Sequence, residues 1–212
     1  MAKYSHATFG NISGTVNNAV GTSWRGVNYL RNIAKKSGKA PSDAQLAVQA
    51  KLALAAFQLS RIKTVLNMGF SDTKLNKLTG YNAAVREFIQ NAITGNFPDL
   101  AIDYSKMQIS RGSLTVLKGL ALAIVGNVVT LTWAVREDAI LGNADDGILV
   151  LLYNSTKDEY MTDCSGKRNV GEIVVTIPEE AGDQIEVWLF CISKDKKAVS
   201  TSQYAGSATV TV

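Results

Sequence analysis

Histidine occurs once in this chain of 212 residues, cysteine twice and proline three times. A single His6 with Cys164 and Cys191 cannot supply most histidine-dependent catalysis, or the converging ligands of nearly all His/Cys metal sites. Three prolines and 17 glycines exclude a Pro/Gly-rich low-complexity chain. No apolar run approaches the ~20 residues that a membrane-spanning helix needs. A catalytic signature is also lacking, so the expectation is no enzyme, no cofactor and no metal centre. What is present is 46% hydrophobic against 19% charged residues, enough to build a core and too apolar for a disordered chain.

The formal net charge of +4 conceals an asymmetry. Residues 1–111 carry 14 Lys+Arg against 5 Asp+Glu, a balance of +9, whereas residues 112–212 carry 8 against 13, or −5. Such a split suits a basic surface for nucleic acid, and equally a subunit whose basic half attracts the acidic half of the next. Cys164 and Cys191 fall in predicted strands, where two buried reduced thiols are favoured over a disulfide. Met1 to His6 is not followed by an apolar stretch of the secretory kind. Synthesis in the cytoplasm without a signal peptide is therefore expected, with a virion as one destination or export by a route needing no cleaved leader.

Three regions separate by pattern. Residues 1–40 are punctuated by glycine and partly alternating. The runs Asn11–Val16 and Ala19–Trp24 flank Asn17-Asn18, which tolerates the positive φ of a tight hairpin turn. A third run, Gly26–Arg31, leads into the basic stretch Lys35-Lys36-Ser37-Gly38-Lys39. This reads as a β-hairpin arm that must lie on something else to be stable.

Residues 41–111 read as helical. Ser42-Asp43-Ala44-Gln45 fits a capping box, and the pattern predicts a helix running to Asn67 or Met68 and stopping at Gly69. Its apolar face is wide, with Leu46, Ala50, Ala53 and Phe57 in one stripe and Leu52, Leu59, Ile62 and Leu66 broadening it. A helix of that kind is covered on more than one side, which in a chain this short points to subunit packing. A second helix is predicted over Asn82–Thr94, terminated by Gly95.

Residues 112–212 read as β throughout. The predicted strands are Met107–Ser110 or Ser113–Leu117, then Val128–Val135, Gly147–Tyr153, Glu159–Cys164, Glu172–Ile177, Gln184–Ser193 and Ala208–Val212. Val129, Leu131 and Trp133 share one face of the second. About seven short strands in roughly 100 residues is the pattern of a β-sandwich. Their spacing and the place of Trp133 resemble a fibronectin type III or immunoglobulin-like domain, although no tyrosine-corner residue is evident before Trp188. The expected fold class is therefore α+β: an N-terminal β-hairpin arm (1–40), a helical domain (41–111) and an immunoglobulin-like antiparallel β-sandwich (112–212).

Candidate sites are few. Gly21-Thr22-Ser23-Trp24-Arg25-Gly26 lacks the Gly-Lys-Ser/Thr of a phosphate loop and opens no helix. Asp145-Asp146-Gly147 reads as a turn rather than a calcium site. Glu179-Glu180 and Asp138 have no inferable cleft around them. Ser110-Arg111-Gly112-Ser113 reads as a domain junction. The best cluster is basic and aromatic: Trp24, Arg25, Tyr29, Arg31, Lys35, Lys36 and Lys39. It is a candidate for intersubunit contacts or, less favoured, for stacking and phosphate tracking along single-stranded nucleic acid.

Several segments together are similar to a Bacteroidota family of ~200-residue proteins of unknown function. They are Gly10–Val16 with Val20–Gly26, Gly80–Val85, Asn91–Gly95, and Asp103–Lys106 through Ser110–Leu114. The resemblance covers nearly the whole chain and implies no activity and no catalytic residue. The function expected is thus that of a non-enzymatic assembly subunit of a phage virion or virion-like particle (tail, capsid decoration or fibre), partnered by copies of itself or other structural subunits. Immunoglobulin-like domains are frequent on such particles, an analogy of fold alone. The alternatives are a monomeric module binding a surface glycan or protein, and a nucleic-acid-binding protein using the basic half.

Overall fold

A computed structural model describes residues 2–4, 10, 12–24, 26–35, 38–71, 78–135, 142–178 and 181–211. The chain divides into two compact units, Met1–Ser42 and Asp43–Val212.

The first unit is a four-stranded antiparallel sheet rather than a lone hairpin. Its strands β1 (Ala2–Tyr4), β2 (Gly14–Val16), β3 (Ala19–Trp24) and β4 (Val27–Asn32) are ordered β1-β4-β3-β2. The Asn17-Asn18 turn joins β2 to β3, with Asn17 at φ 51°. Strand β1 was not anticipated from sequence; it pairs with β4 and makes a sheet of what would otherwise be a marginal three-stranded meander.

The second unit has a helical layer, a central sheet and an outer sheet. Helix α1 (Asp43–Ser60) begins directly after Ser42, as the capping box predicts. The single long helix expected from the pattern is instead two. The chain breaks at Arg61–Ile62 before α2 (Lys63–Gly69), where Arg61 bonds the carbonyl of Asp158 at 2.6 Å and its carboxylate at 2.8 Å. Helix α3 (Gly80–Glu87) starts two residues earlier than expected, because Thr79 is its cap and accepts from the Asn82 amide. It passes into one π-helical turn, Phe88–Ala92, and then into a hairpin of β5 (Ile93–Asn96) and β6 (Asp99–Ile102). Gly95 therefore does not end a helix. It lies in β5 at φ 81°, where a Cβ would meet the Asp99 carbonyl oxygen at 2.3 Å.

The remaining strands are β7 (Lys118–Val125), β8 (Val128–Ala134), β9 (Gly147–Asn154), β10 (Glu159–Lys167), β11 (Glu172–Thr176), β12 (Gln184–Ile192) and β13 (Gln203–Thr209). They form a three-stranded sheet, β11-β8-β7, and a four-stranded sheet, β10-β9-β12-β13, with every ladder antiparallel. The first predicted strand is displaced. Neither Met107–Ser110 nor Ser113–Leu117 is a strand; only Leu114 bridges to Ser200, and the strand is β7. The last strand is Gln203–Thr209 rather than Ala208–Val212, and Val210 carries the pairing one step further by donating to the Asp183 carbonyl at 2.8 Å.

Two apolar clusters explain the layering. Ile148, Val150 and Leu152 of β9 and Ile185, Val187 and Leu189 of β12 meet Val129, Leu131 and Trp133 of β8. The alternate residues Leu149, Leu151 and Tyr153 of β9, with Trp188 and Phe190 of β12, meet Leu59, Leu66, Phe70 and Phe88 from the helical layer. Both central strands are thus covered on both faces, which is why their sequences read as unbroken apolar runs. The helical residues and the strands that follow them share this core within the second unit. At the joint, the Arg111 amide donates to the Gly69 carbonyl at 2.9 Å and Ser110 Oγ donates to the Ser200 carbonyl at 2.7 Å. Gly112 lies so close to Val199 that a Cβ would be 2.1 Å from its carbonyl oxygen.

Candidate interaction surfaces

Ladder register decides which side chains of the first unit share a face, because directly opposed residues point the same way. Val20 opposes Arg31, Thr22 opposes Tyr29 and Trp24 opposes Val27, while Lys3 opposes Tyr29 from the other side. Lys3, Trp24, Tyr29 and Arg31 therefore stand on one face. Lys3, Trp24 and Arg31 are exposed, Trp24 to 53%, and Tyr29 is half-buried. The opposite face is covered at its centre, where Gly21 and Asn28 are buried. Ile12 packs on Gly21 so tightly that a Cβ there would lie 2.6 Å from its methyl carbon, and the Ile12 amide donates to Tyr4 Oη at 3.2 Å. The glycine pattern of Gly21 is thus a close approach within a sheet. Of the cluster expected from sequence, three members share the face, and Lys35 and Lys39 are exposed in the stretch after β4. Arg25 and Lys36 lie outside the described residues, as do His6, Asp138, Glu179 and Glu180. Lys3 was missed because nothing in sequence announces β1.

A second surface lies on α1. Val48, Leu52, Ala55, Leu59, Ile62 and Leu66 recur at alternating steps of four and three, the spacing of a helix-pairing seam. Ala55, Leu59, Ile62 and Leu66 are at most 4% exposed, yet Val48 and Leu52 are 67% and 52% exposed. The stripe that enters the core at its C-terminal end is bare at its N-terminal end. Asp43 and Lys51 are the only charged residues between Asp43 and Ser60.

Several titratable groups described in the second unit are engaged in structure. Rings of Tyr160, Tyr153, Tyr104, Trp188 and Tyr204 form a continuous row across the central sheet, with centroid separations from 4.5 to 6.1 Å. Tyr153 Oη donates to Asp158 at 2.9 Å, Trp188 Nε1 to the Tyr104 carbonyl at 3.2 Å, and Tyr204 Oη bonds Glu186. Burial pushes the Tyr104, Tyr160 and Tyr204 phenols well up. The Arg61 guanidinium bonded to Asp158 holds that carboxyl below the usual carboxylate range. Asp146, of the predicted turn, is fully buried and ion-paired to Arg168 Nε at 3.7 Å, while Asp145 is exposed beside Lys167 and Lys194. Among the described residues no three His, Cys, Asp or Glu side chains come together as metal ligands.

Both cysteines are free thiols, Cys191 buried and Cys164 exposed, so the expected pair of buried thiols holds for one of them. The strand carrying Cys164 is on the edge of its sheet, and the ladder shifts register between Asp163 and Gly166. Cys164 opens on an apolar cavity of about 470 Å³ lined also by Met68, Leu149, Ile192 and Lys196. Partial desolvation of the sulfur, with the adjacent Asp163 carboxylate, holds its thiol above the ordinary range, which disfavours the nucleophilic thiolate.

The fold and these surfaces define a mixed α+β protein with several antiparallel sheets, one of them in a small basic unit at the N-terminal end. A family of unknown function, DUF6266, matches residues 11–206, and the chain belongs to that family. No curated protein matches the chain. Among the described residues no helix is long and apolar enough to cross a membrane.

Proposed function

We propose that this protein is a non-enzymatic structural subunit that self-associates through α1, of the kind that builds a phage virion or virion-like particle. The observation that carries the reading is the stripe of α1 from Val48 to Leu59, buried at one end and bare at the other. A helix facing water alone keeps charge on its outer side. This one has two charged residues in 18, and its exposed residues include Val48, Leu52 and Phe57. A second copy presents the same self-complementary, charge-poor stripe, and a two-fold pairing of the two N-terminal halves satisfies both at once.

The finer fold reading is an immunoglobulin or fibronectin type III-like sandwich. It is supported by the strand order, with the first, second and fifth strands (β7, β8, β11) in one sheet and the third, fourth, sixth and seventh (β9, β10, β12, β13) in the other.

Light scattering on a sizing column tests the association. The full chain is expected to elute as a dimer or larger, and Leu52→Glu to elute at the monomer mass of 22.7 kDa. Leu52 is more than half exposed, so its replacement is expected to leave the unfolding free energy of the protomer within about 0.5 kcal/mol of the parent. A wild-type monomer at ~100 μM would overturn the reading, since tighter binding is the minimum for such a subunit.

A further inference from the structure

We infer that the open face of the N-terminal sheet is a binding surface for single-stranded nucleic acid. Residues 1–42 contain six Lys+Arg and no Asp or Glu. A unit of that composition has no acidic side chain of its own to neutralise Lys3 and Arg31, which favours a polyanionic partner.

The face carries the second element that charge alone lacks. Trp24 on β3 and Tyr29 on β4 are diagonal neighbours, two residues apart in register across adjacent strands, a separation of about 7–8 Å. That distance suits two successive bases of an extended strand, each laid on one ring. Thr22 lies directly opposite Tyr29, and Lys3 and Arg31 flank the rings from β1 and from the next outward-facing position of β4. Cations beside stacked bases are where the phosphates of such a strand run. Lys35 extends the charge past the end of β4.

The chemistry discriminates among occupants. An acidic peptide would use the cations and leave the rings idle. A duplex hides the base faces that the rings would cover. A neutral glycan gains nothing from an all-cationic unit. Single-stranded DNA or RNA uses both features, and without base-edge donors arranged on the face it is bound with little sequence preference. This surface is separate from the α1 seam and does not depend on self-association.

Fluorescence anisotropy of the full chain with a labelled mixed-sequence oligonucleotide of about 20 nucleotides tests the inference. Binding is expected at ~50 mM salt and about twentyfold weaker at ~200 mM, the counterion release for some three contacted phosphates of a single strand. Trp24→Ala is expected to weaken binding at least about fivefold, with Trp24→Phe restoring most of it. Trp133 and Trp188 are 5% and 0% exposed, so quenching of the exposed Trp emission reports Trp24 alone. Arg31→Gln is expected to flatten the salt dependence. Leu52→Glu is expected to bind as the parent does, which keeps this result separate from that of self-association. Absence of binding at ~50 mM salt would overturn the inference. So would equal affinity for duplex of the same sequence, or an unchanged affinity in Trp24→Ala.

Discussion

The two units are both built on antiparallel sheet, yet they dispose of their sheet faces in opposite ways. In the second, β9 and β12 are buried almost end to end, with helices against one face and a second sheet against the other. In the first, β3 and β4 are buried only at Gly21 and Asn28, and one face carries Lys3, Trp24, Tyr29 and Arg31. Apolar area removed from water is the main source of folding free energy, so stability is concentrated in the second unit. The first has spent little of its surface on a core. Its aromatic rings and its undiluted positive charge remain available, which is the division of labour expected when a stable body carries a recognition surface.

The largest expected difference between the units comes from alkali. Above pH ~10 the unfolded chain releases its phenolic protons, while burial keeps those of Tyr104, Tyr160 and Tyr204 bound in the folded state. The folded state then holds more protons than the unfolded one, so stability falls as pH rises. The buried Cys191 thiol, also pushed up, acts in the same direction from a lower pH. All four groups belong to the second unit. Its near-UV circular dichroism is expected to vanish cooperatively, at the pH where tyrosinate absorbance from these rings appears. A gradual appearance of that absorbance with the dichroism intact would break the comparison.

Trp188→Ala is the next largest. The ring is fully buried, touches Tyr104 and Tyr204 and donates to the Tyr104 carbonyl. Its removal leaves a cavity between helices and sheet and is expected to cost about 3–5 kcal/mol in urea unfolding of the full chain. A loss below about 1 kcal/mol would mean that the helical layer collapses onto the gap, and that the central sheet is less rigidly covered than its burial implies.

What could be read from the residues follows the same divide. The strands of the second unit announce themselves through runs of Val, Ile and Leu, and the Val129, Leu131, Trp133 face is buried as alternation requires. Ser165-Gly166, which reads as a turn, instead lies inside β10 at its register shift. The unbroken runs in β9 and β12 also carry the third layer, since a strand with one wet face alternates. That signal was present and points to covered faces on both sides. Strand β7 hides because its outer positions are Gly119, Ala121 and Ala123, so Leu120, Leu122 and Ile124 do not stand out against it. The break at Arg61 and the hairpin after Ala92 were illegible because both are set by distant partners. Arg61 is held by Asp158, nearly a hundred residues on, and Gly95 by its cross-strand neighbour. In the first unit Trp24, Tyr29 and Arg31 could be grouped by composition, but only register places them on one face, and Lys3 needed a three-residue strand no periodicity can detect.

The smallest expected effect sharpens the comparison most, because it sets tryptophan against tryptophan. Trp24 is 53% exposed on the open face, and no described ring pairs with it. Trp24→Ala removes a side chain that is more than half exposed, so the unfolding free energy is expected to change by no more than about 0.5 kcal/mol. The same substitution at Trp188 is expected to cost several times that. If Trp24→Ala instead lowered stability by as much as Trp188→Ala, the ring would be part of a core, the face would be closed, and the first unit would be a second structural body with no recognition surface.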